Sequence, residues 1–164
     1  MRAFLFVLEI SPMQVDKVYP DGLRLHCTVL HWFRTNAFTS EVLAKAGDII
    51  SETPPITLIA EREEHFGPSN GPQDILVNLV RPTPTFQKLH NGLRQAMEQL
   101  GARHTEPTYV GDGFHAHVTS QPEGQFTEGS RHIAAATYLV EALNQETITN
   151  KLVVARIPHR HAQP

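Results

Sequence analysis

His26-Cys27-Thr28 and His117-Val118-Thr119 repeat one pattern in the two halves of the chain: a histidine and a threonine separated by one apolar residue. Each triplet lies in a short stretch whose composition predicts a β-strand. In a strand, residues two apart point to the same face. The histidine and the threonine of each triplet are therefore expected to share a face. We call the two triplets the first motif and the second motif.

The residues that alternate with the motif histidines and threonines are apolar, which predicts that the other face of each strand is buried. They are Leu25, Cys27 and Val29 around the first motif, and Phe114, Ala116 and Val118 around the second. Two such strands side by side would line a cleft with two imidazoles and two hydroxyls. The alternative is that the histidines are solvated strand residues and the threonines merely suit a strand.

The motifs resemble the signature of the two-histidine phosphoesterases, which include the 2′-5′ RNA ligase-like proteins and the 2′,3′-cyclic nucleotide phosphodiesterases. That signature is His-x-Thr/Ser-x with an apolar last residue, and it occurs twice. The first motif followed by Val29 fits completely, whereas the second is followed by Ser120. The resemblance implies an α+β fold with two lobes related by a pseudo-twofold axis. Antiparallel sheets with flanking helices would then surround a central cleft lined by one motif from each lobe.

Length and composition predict a single domain over residues 1–164. Hydrophobic residues make up 40% of the chain, and the net charge of −3 gives no overall basic field to attract long duplex nucleic acid. The single cysteine excludes an internal disulfide. The apolar run after Met1 is short and ends at Glu9, unlike a signal peptide, and no stretch is long enough to span a membrane. We therefore expect a cytoplasmic protein.

Apolar periodicity and turn residues predict strand, strand, helix, strand, strand, helix, and then three strands. Thr39 or Ser40 is expected to cap a helix that runs to about Ser51, and Thr83 to cap a second helix that ends before Gly101. The strands are expected at 3–9, about 23–31, 56–62, 74–80, the second motif, 131–143 and 151–157.

Two segments are harder to interpret. Residues 131–143 contain an alanine run that favours helix and the stretch Thr137-Tyr138-Leu139-Val140 that favours strand. The resemblance implies a strand paired with about 151–157, and we adopt that interpretation. Residues 158–164, with His159 and His161, are expected to form a flexible, solvated tail.

The residue types of the motifs suit the cleavage of a phosphodiester. One group must take a proton from the attacking oxygen and another must give a proton to the leaving oxygen, and imidazole can do both near neutral pH. We expect His26 and His117 to form this acid–base pair, in either order, and Thr28 and Thr119 to bind the phosphate oxygens. No metal or other cofactor is required. A metal held by the second-motif histidine and His115 is the alternative, but it lacks a third protein ligand.

Five further residues are candidates for substrate contact. Arg24 and His115 stand two residues before the motif histidines, on the same strand face, and could touch a phosphate or a base. Trp32, Phe66 and Tyr109 could stack on a nucleobase. Tyr109 is the best placed, because it precedes the second motif closely. The alternative for each is an ordinary core, loop or solvent-facing residue.

The resemblance implies a phosphodiesterase that acts on a 2′,3′-cyclic phosphate, a 2′-5′ linkage, or a cyclic nucleotide or oligonucleotide. The absence of a basic run favours a small nucleotide or short oligonucleotide as partner over long duplex nucleic acid. Three alternatives stay open. These are a non-catalytic nucleotide- or RNA-binding module with the same cleft, a 2′-5′ RNA ligase that runs the reverse reaction, and an unrelated α+β scaffold in which the motifs occur by chance.

Overall fold

The computed structural model of the chain describes residues 1–67 and 71–161. Two α-helices lie within them, α1 (Thr39–Glu52) and α2 (Pro84–Gln99), and neither is long and apolar enough to cross a bilayer. Two short 3₁₀ turns, Pro107–Tyr109 and Gly111–Gly113, precede the second motif. The strands of the described residues are β1 (Arg2–Glu9), β2 (Val18–Tyr19), β3 (His26–Thr35), β4 (Ile56–Phe66), β5 (Ile75–Val80), β6 (Arg103–His104), β7 (His117–Thr119), β8 (Arg131–Ala134), β9 (Ala136–Asn144) and β10 (Thr149–Pro158).

These strands form one antiparallel sheet in the order β2-β10-β9-β1-β3-β7-β5-β4-β8, with β6 paired to β3. The strands β3 and β7 meet through a single residue pair, Cys27 opposite Val118. This junction separates a first lobe, from β2 to β3, from a second lobe, from β7 to β8. The predicted α+β fold of antiparallel lobes with flanking helices is confirmed.

The central strand β1 has apolar residues on both faces because both faces are covered. Alternate residues of a strand point to opposite sides of the sheet. Phe4, Phe6 and Leu8 accordingly enter the main core, which also contains the buried faces of α1 and α2. Ala3, Leu5 and Val7 enter a second apolar cluster on the other side of the first lobe, where β9 and β10 contribute Tyr138, Val140, Ala142 and Val153.

The helix ends agree with the predicted ones to within a residue or two. Thr83 caps α2 as expected, since its hydroxyl accepts a hydrogen bond from the Phe86 N–H at 3.2 Å. The predicted cap of α1 is wrong. The cap is Phe38, whose own N–H donates to the Glu41 carboxylate at 2.7 Å, while Thr39 is already helical.

The strand predictions hold with changed boundaries. The first motif strand starts at His26 rather than near residue 23 and continues to Thr35. The second motif strand is only three residues long. The stretch 131–143 is strand, as adopted, but it is divided: β8 pairs with β4, and β9 pairs with β10. The sequence also predicts a turn-rich connection over residues 66–72, of which residues 68–70 lie outside the described residues.

The prediction of a flexible tail from residue 158 is wrong for its first three residues, the third of which, Arg160, donates its N–H to the Thr53 carbonyl at 2.8 Å. Pro158 closes β10, and the next residue, His159, is only 3% exposed. The His159 N–H donates to the Ala135 carbonyl at 2.8 Å, and its ring bridges the Thr137 hydroxyl and the Pro54 carbonyl. These contacts of the buried His159 fix the start of the C-terminal segment against the folded protein. Residues 162–164 lie outside the described residues.

Candidate active site at the junction of the lobes

The two motifs are direct neighbours across the junction. Because β3 and β7 are antiparallel with Cys27 opposite Val118, the histidine of each motif lies opposite the threonine of the other. Cys27 and Val118 are fully buried in the main core. The histidines and threonines are only partly buried and share the opposite side of the sheet. We call that side the motif face.

The two motif histidines are held in the same way. The Nδ1 of His26 lies 2.7 Å from the Arg24 carbonyl, and the Nδ1 of His117 lies 2.8 Å from the His115 carbonyl. A carbonyl only accepts, so in each neutral ring the proton is on Nδ1 and the lone pair is on Nε2. Neither Nε2 has a hydrogen bond to another described residue. Each ring therefore presents an unprotonated Nε2 that can exchange a proton with a ligand.

Burial favours the neutral form of both rings. It lowers the pKa of His26 to about 4, against a smaller opposing effect of the Arg24 carbonyl, with small further lowering from Lys151 and His117. The pKa of His117 is also lowered, chiefly by burial. A bound phosphate anion would favour the charged form and raise both pKa values. The site is thus arranged to gain a proton when an anion enters.

A pocket of about 310 Å³ opens beside the second-motif histidine. Phe66 meets the His117 ring edge to face at a centroid distance of 4.8 Å, and Tyr109 meets His31 in the same way at 5.3 Å. Three predicted contact residues, Phe66, Tyr109 and His115, line this pocket together with Thr28 and His117. The pocket is therefore continuous with the motif face.

Two other predicted contact residues lie elsewhere. Trp32 is 8% exposed and packs in the second apolar cluster, away from the pocket, so the prediction that it stacks on a base is wrong. Arg24 remains on the surface, but its guanidinium binds Glu123 at 2.9 Å and 3.1 Å. The same carboxylate accepts a hydrogen bond from the Leu25 N–H at 2.6 Å. Both contacts lower the pKa of Glu123, and the hydrogen bond from Arg24 has the larger effect. Arg24 therefore anchors the loop that carries Glu123.

The chain matches the sequence model of the 2′-5′ RNA ligase superfamily over residues 11–157, a span that contains both motifs. It belongs to this superfamily. The resemblance to the two-histidine phosphoesterases is thereby confirmed at the level of the superfamily. None of the curated proteins matches the chain in sequence.

Several solved structures share the superfamily fold at low sequence identity. A phosphoesterase has a TM-score of 0.66 and 14% identity, over 98% of this chain and 100% of its own. TT0787 of Thermus thermophilus has a TM-score of 0.66 and 17% identity, over 99% and 100%. LigT of E. coli, in complex with 3′-AMP, has a TM-score of 0.65 and 14% identity, over 98% and 99%. These likenesses establish the fold of the chain.

One site residue missed by the sequence analysis is His31. Strict alternation after Thr28 would place His31 on the core side. The pairing of β1 with β3 shifts between Thr28 and Leu30, so that Val29 and Leu30 are both buried in the core. This irregularity returns the next residue to the site, and His31 lines the pocket. A bulge depends on the partner strand, so residue types alone could not reveal it.

A second missed residue is Lys151. It pairs with Ala142 across β9 and β10, and Ala142 belongs to the cluster on the same side as Val7. Val7 pairs with Thr28, which places Lys151 on the motif face. Burial lowers the pKa of Lys151, and its charge is close enough to lower the pKa of His26. The sequence could not predict that Lys151 lies near the first motif, because that depends on the order and pairing of the strands.

His90 connects β3 to the loop that precedes β7. It is completely buried in α2, and its Nδ1–H donates to the Val29 carbonyl at 2.7 Å while its Nε2 accepts the Gly111 N–H at 3.0 Å. The ring also stacks on Phe114, with centroids 3.9 Å apart and planes 3° apart. One neutral imidazole thus holds the first motif strand and the loop before the second motif in fixed relation.

No group of three or more His, Cys, Asp or Glu side chains within residues 1–67 and 71–161 is arranged to hold a metal ion. The second-motif histidine turns its Nδ1 toward a backbone carbonyl. The alternative of a chelate with His115 would give the metal only two protein ligands among the described residues.

These histidines should make the fold sensitive to acid. Burial lowers the pKa of His26 and of His31 from 6.5 to about 4, and it lowers the pKa of His90 as well. Below pH 6.5 these histidines bind protons in the unfolded chain but stay neutral in the folded chain. The free energy of unfolding therefore falls as the pH drops from 6.5 toward 4. At pH 5 the expected loss is about 2 kcal/mol for each of His26 and His31. Urea unfolding at pH 7 and pH 5 measures it.

The matched comparison for this prediction is between single histidine variants. His31→Asn removes one buried imidazole and should reduce the difference in unfolding free energy between pH 7 and pH 5. His132→Asn removes an imidazole from the edge strand β8 and is the control. Equal stability of the unmodified protein at both pH values would contradict the prediction.

Proposed function

We propose that the protein is a metal-independent phosphodiesterase that cleaves a 2′,3′-cyclic phosphate, a 2′-5′ linkage, or a cyclic nucleotide or oligonucleotide. One observation carries the proposal. The register of β3 against β7 sets the histidine of each motif beside the threonine of the other, with both Nε2 atoms free of other described residues. In this proposal His26 and His117 are the acid–base pair, and Thr28 and Thr119 bind the phosphate.

The geometry supports a reaction with two proton transfers. One Nε2 takes a proton from a water molecule as that oxygen attacks phosphorus, and the other, protonated, Nε2 gives its proton to the departing ribose oxygen. Extra negative charge develops on the non-bridging phosphate oxygens in the transition state. The hydroxyls of Thr28 and Thr119 donate hydrogen bonds to these oxygens. Lys151 supplies a positive charge on the same face, near the first motif.

The size and charge of the site favour a small substrate. The pocket of about 310 Å³ lies at the lower end of the range for small-molecule sites. The net charge of −3 offers no broad basic surface for duplex nucleic acid. LigT of E. coli, which shares the fold, has been solved with 3′-AMP, ATP and NADP⁺. We therefore propose a small nucleotide or a short oligonucleotide as the substrate.

A substrate panel tests the proposal. Purified protein is incubated in EDTA with nucleoside 2′,3′-cyclic phosphates, 2′-5′ oligoadenylate and cyclic oligonucleotides, and the products are separated as 2′- or 3′-phosphates. Turnover of at least one class that survives EDTA and disappears in the variant His117→Ala is expected. If no class is turned over although a nucleotide binds, the protein is a binding module of the kind left open by the sequence.

The superfamily name keeps ligation as a second candidate. Joining a 2′,3′-cyclic phosphate to a 5′-hydroxyl is cleavage of a 2′-5′ bond in reverse, and it uses the same two proton transfers. Adding an RNA with a free 5′-hydroxyl to the cyclic-phosphate reaction separates the two. Hydrolysis gives a monophosphate only, whereas ligation gives a longer 2′-5′-linked product.

The pH dependence of the reaction follows from the lowered pKa values. Catalysis requires one neutral and one protonated imidazole, and in the free site this form exists between the pKa of His26, about 4, and that of His117, below 6.5. The value of kcat/KM should therefore be bell-shaped with its maximum at acidic pH. Bound phosphate raises both pKa values, so kcat should peak at a higher pH than kcat/KM. Initial rates across the acidic, neutral and alkaline range measure kcat and kcat/KM. A value of kcat/KM that still rises in alkaline solution would contradict the proposed acid–base pair of histidines.

A further inference from the structure

We propose that Glu123 is a positioning residue for His26, and that it acts through the peptide group between Arg24 and Leu25. The inference rests on the proposed function, in which His26 is one of the two proton-transfer groups. It assigns a carboxylate of the second lobe to the histidine of the first motif, across the junction.

One peptide group makes both of the contacts on which the inference depends. Its C=O, that of Arg24, accepts a hydrogen bond from the His26 Nδ1–H at 2.7 Å. Its N–H, that of Leu25, donates to the Glu123 carboxylate at 2.6 Å. The N–H and the C=O of a trans peptide group point in opposite directions. Carboxylate, peptide group and imidazole therefore form one continuous chain of two hydrogen bonds.

Such a chain fixes the side of the imidazole that carries the proton. A carboxylate bound to the N–H makes the carbonyl oxygen of the same peptide group a stronger acceptor, because amide resonance connects the two atoms. Consecutive hydrogen bonds also polarise and strengthen one another. A stronger acceptor at the Arg24 carbonyl holds the proton of His26 on Nδ1. The lone pair is then left on Nε2, the nitrogen that is free to exchange a proton with a ligand.

Glu123 is suited to this role because its carboxylate is ionised and held by two groups. The Arg24 guanidinium binds Oε2 at 2.9 Å and 3.1 Å, and the Leu25 N–H binds Oε1. The hydrogen bond from the guanidinium, and next that from the Leu25 N–H, lowers the pKa of Glu123. Hydrogen bonds to an ionised carboxylate are shorter and stronger than those between neutral groups. The charge is therefore present at neutral pH, directly against the peptide group.

The turn that carries Glu123 is closed by its own backbone. Gln121 and Gly124 exchange two N–H···O=C hydrogen bonds, both of 3.0 Å, with Pro122 and Glu123 between them. Proline in the second position and glycine in the fourth are favoured in tight turns, and proline restricts the backbone further. The turn begins two residues after Thr119. The position of Glu123 is thus tied to the second motif.

The second motif has no counterpart of Glu123. The ring of His117 is also held by a carbonyl, that of His115, at 2.8 Å. The N–H of that peptide group belongs to Ala116, and no carboxylate of the described residues accepts a hydrogen bond from it. The two histidines have the same sequence pattern, but only His26 has a carboxylate behind its carbonyl partner.

The tautomer of His26 tests the inference without any turnover. Heteronuclear NMR of the histidine rings at neutral pH shows which ring nitrogen carries the proton. Both motif histidines of the unmodified protein should be protonated on Nδ1. In Glu123→Ala the form protonated on Nε2 should become measurable for His26, whereas His117 should keep its Nδ1 proton. An unchanged tautomer of His26 in this variant would overturn the inference.

Kinetics with the best substrate of the panel give a second measurement. Glu123→Ala should lower kcat roughly 10- to 100-fold, the range found when the hydrogen-bond partner behind a metal-bound histidine is removed. The value of KM should change little, because Glu123 acts on the histidine and not on the substrate. Glu123→Gln keeps an acceptor oxygen for the Leu25 N–H and loses the charge, so it should recover part of the lost kcat. A loss that lies in KM alone would overturn the inference.

Glu98→Gln is the matched control. Glu98 is also a surface glutamate paired with an arginine, Arg94, at 3.4 Å, but it lies on α2. This variant should leave the tautomer of His26 and kcat unchanged. If Glu123→Ala fails to fold, as judged by thermal unfolding, Glu123→Gln takes its place. A tautomer and a kcat equal to those of the unmodified protein would then overturn the inference.

The NMR measurement keeps the two proposals distinguishable. If no substrate of the panel is turned over, the phosphodiesterase proposal fails, and the tautomer of His26 still decides the role of Glu123. If turnover is found but Glu123→Ala keeps both the tautomer and kcat, the positioning role fails and the phosphodiesterase proposal stands.

Discussion

Replacing His26 or His117 by alanine should lower kcat by about 10²–10⁴, the usual range for loss of a general acid or base. Each ring presents one unprotonated Nε2 to the motif face, and no other described residue lies hydrogen-bonded to that atom. In the proposed mechanism the two groups act in one transition state, so the double variant should be little slower than the worse single variant. The measurement is kcat for the best substrate of the panel, under saturating conditions.

The control for this experiment is a histidine on the same sheet but far from the junction. His132→Ala on β8 should leave kcat unchanged. Thermal unfolding of all the variants excludes a loss of activity through unfolding. Activity near that of the unmodified protein in either motif variant, with the fold intact, would show that this histidine has no part in the proton transfers.

The motif face could be predicted because it follows from local alternation. The sequence places a histidine and a threonine on one face of a short strand and apolar residues on the other, and Cys27 and Val118 are indeed fully buried. What alternation could not provide is the register between two strands that are far apart in sequence. That register, with Cys27 opposite Val118, is what turns two separate pairs into one site.

The residues that the sequence analysis missed or misplaced depend on long-range structure. His31 reaches the pocket through a shift in the pairing of β1 with β3, and Lys151 reaches the motif face through the pairing of β9 with β10. Trp32 was a candidate for stacking because its side chain is aromatic, yet it packs into the second apolar cluster. The predicted tail is folded because His159 finds partners on β9 and just beyond the end of α1.

The site lies where the sheet is most weakly connected, and its neighbours compensate for that. Only Cys27 and Val118 pair directly across the junction among the described residues. The first motif is supported by β1, whose Leu8 and Val7 pair with Cys27 and Thr28. The second motif is supported by β5 along its whole length. With His90 joining both segments, the motif histidines are held by rigid elements while the face between them stays open to a ligand.

Replacing Thr28 or Thr119 by valine should lower kcat by about 10²–10³, as the loss of one donor to a developing charge does. Valine has the shape and strand propensity of threonine but no hydroxyl, so the partly buried strand positions should fold unchanged. Because the charge grows in the transition state, kcat should fall more than KM rises. Steady-state kinetics of both variants measure this.

The serine variants Thr28→Ser and Thr119→Ser complete this test, because they keep the hydroxyl and lose only a methyl group. They should retain most of the activity. If serine and valine were equally damaging, the contribution of these residues would be packing rather than hydrogen bonding. If both were harmless, the negative charge at phosphorus would have to be stabilised by the remaining donors of the motif face, of which Lys151 carries a positive charge close to the first motif. The four substitutions therefore decide between hydroxyl, shape and charge as the means by which the junction would bind the proposed phosphate.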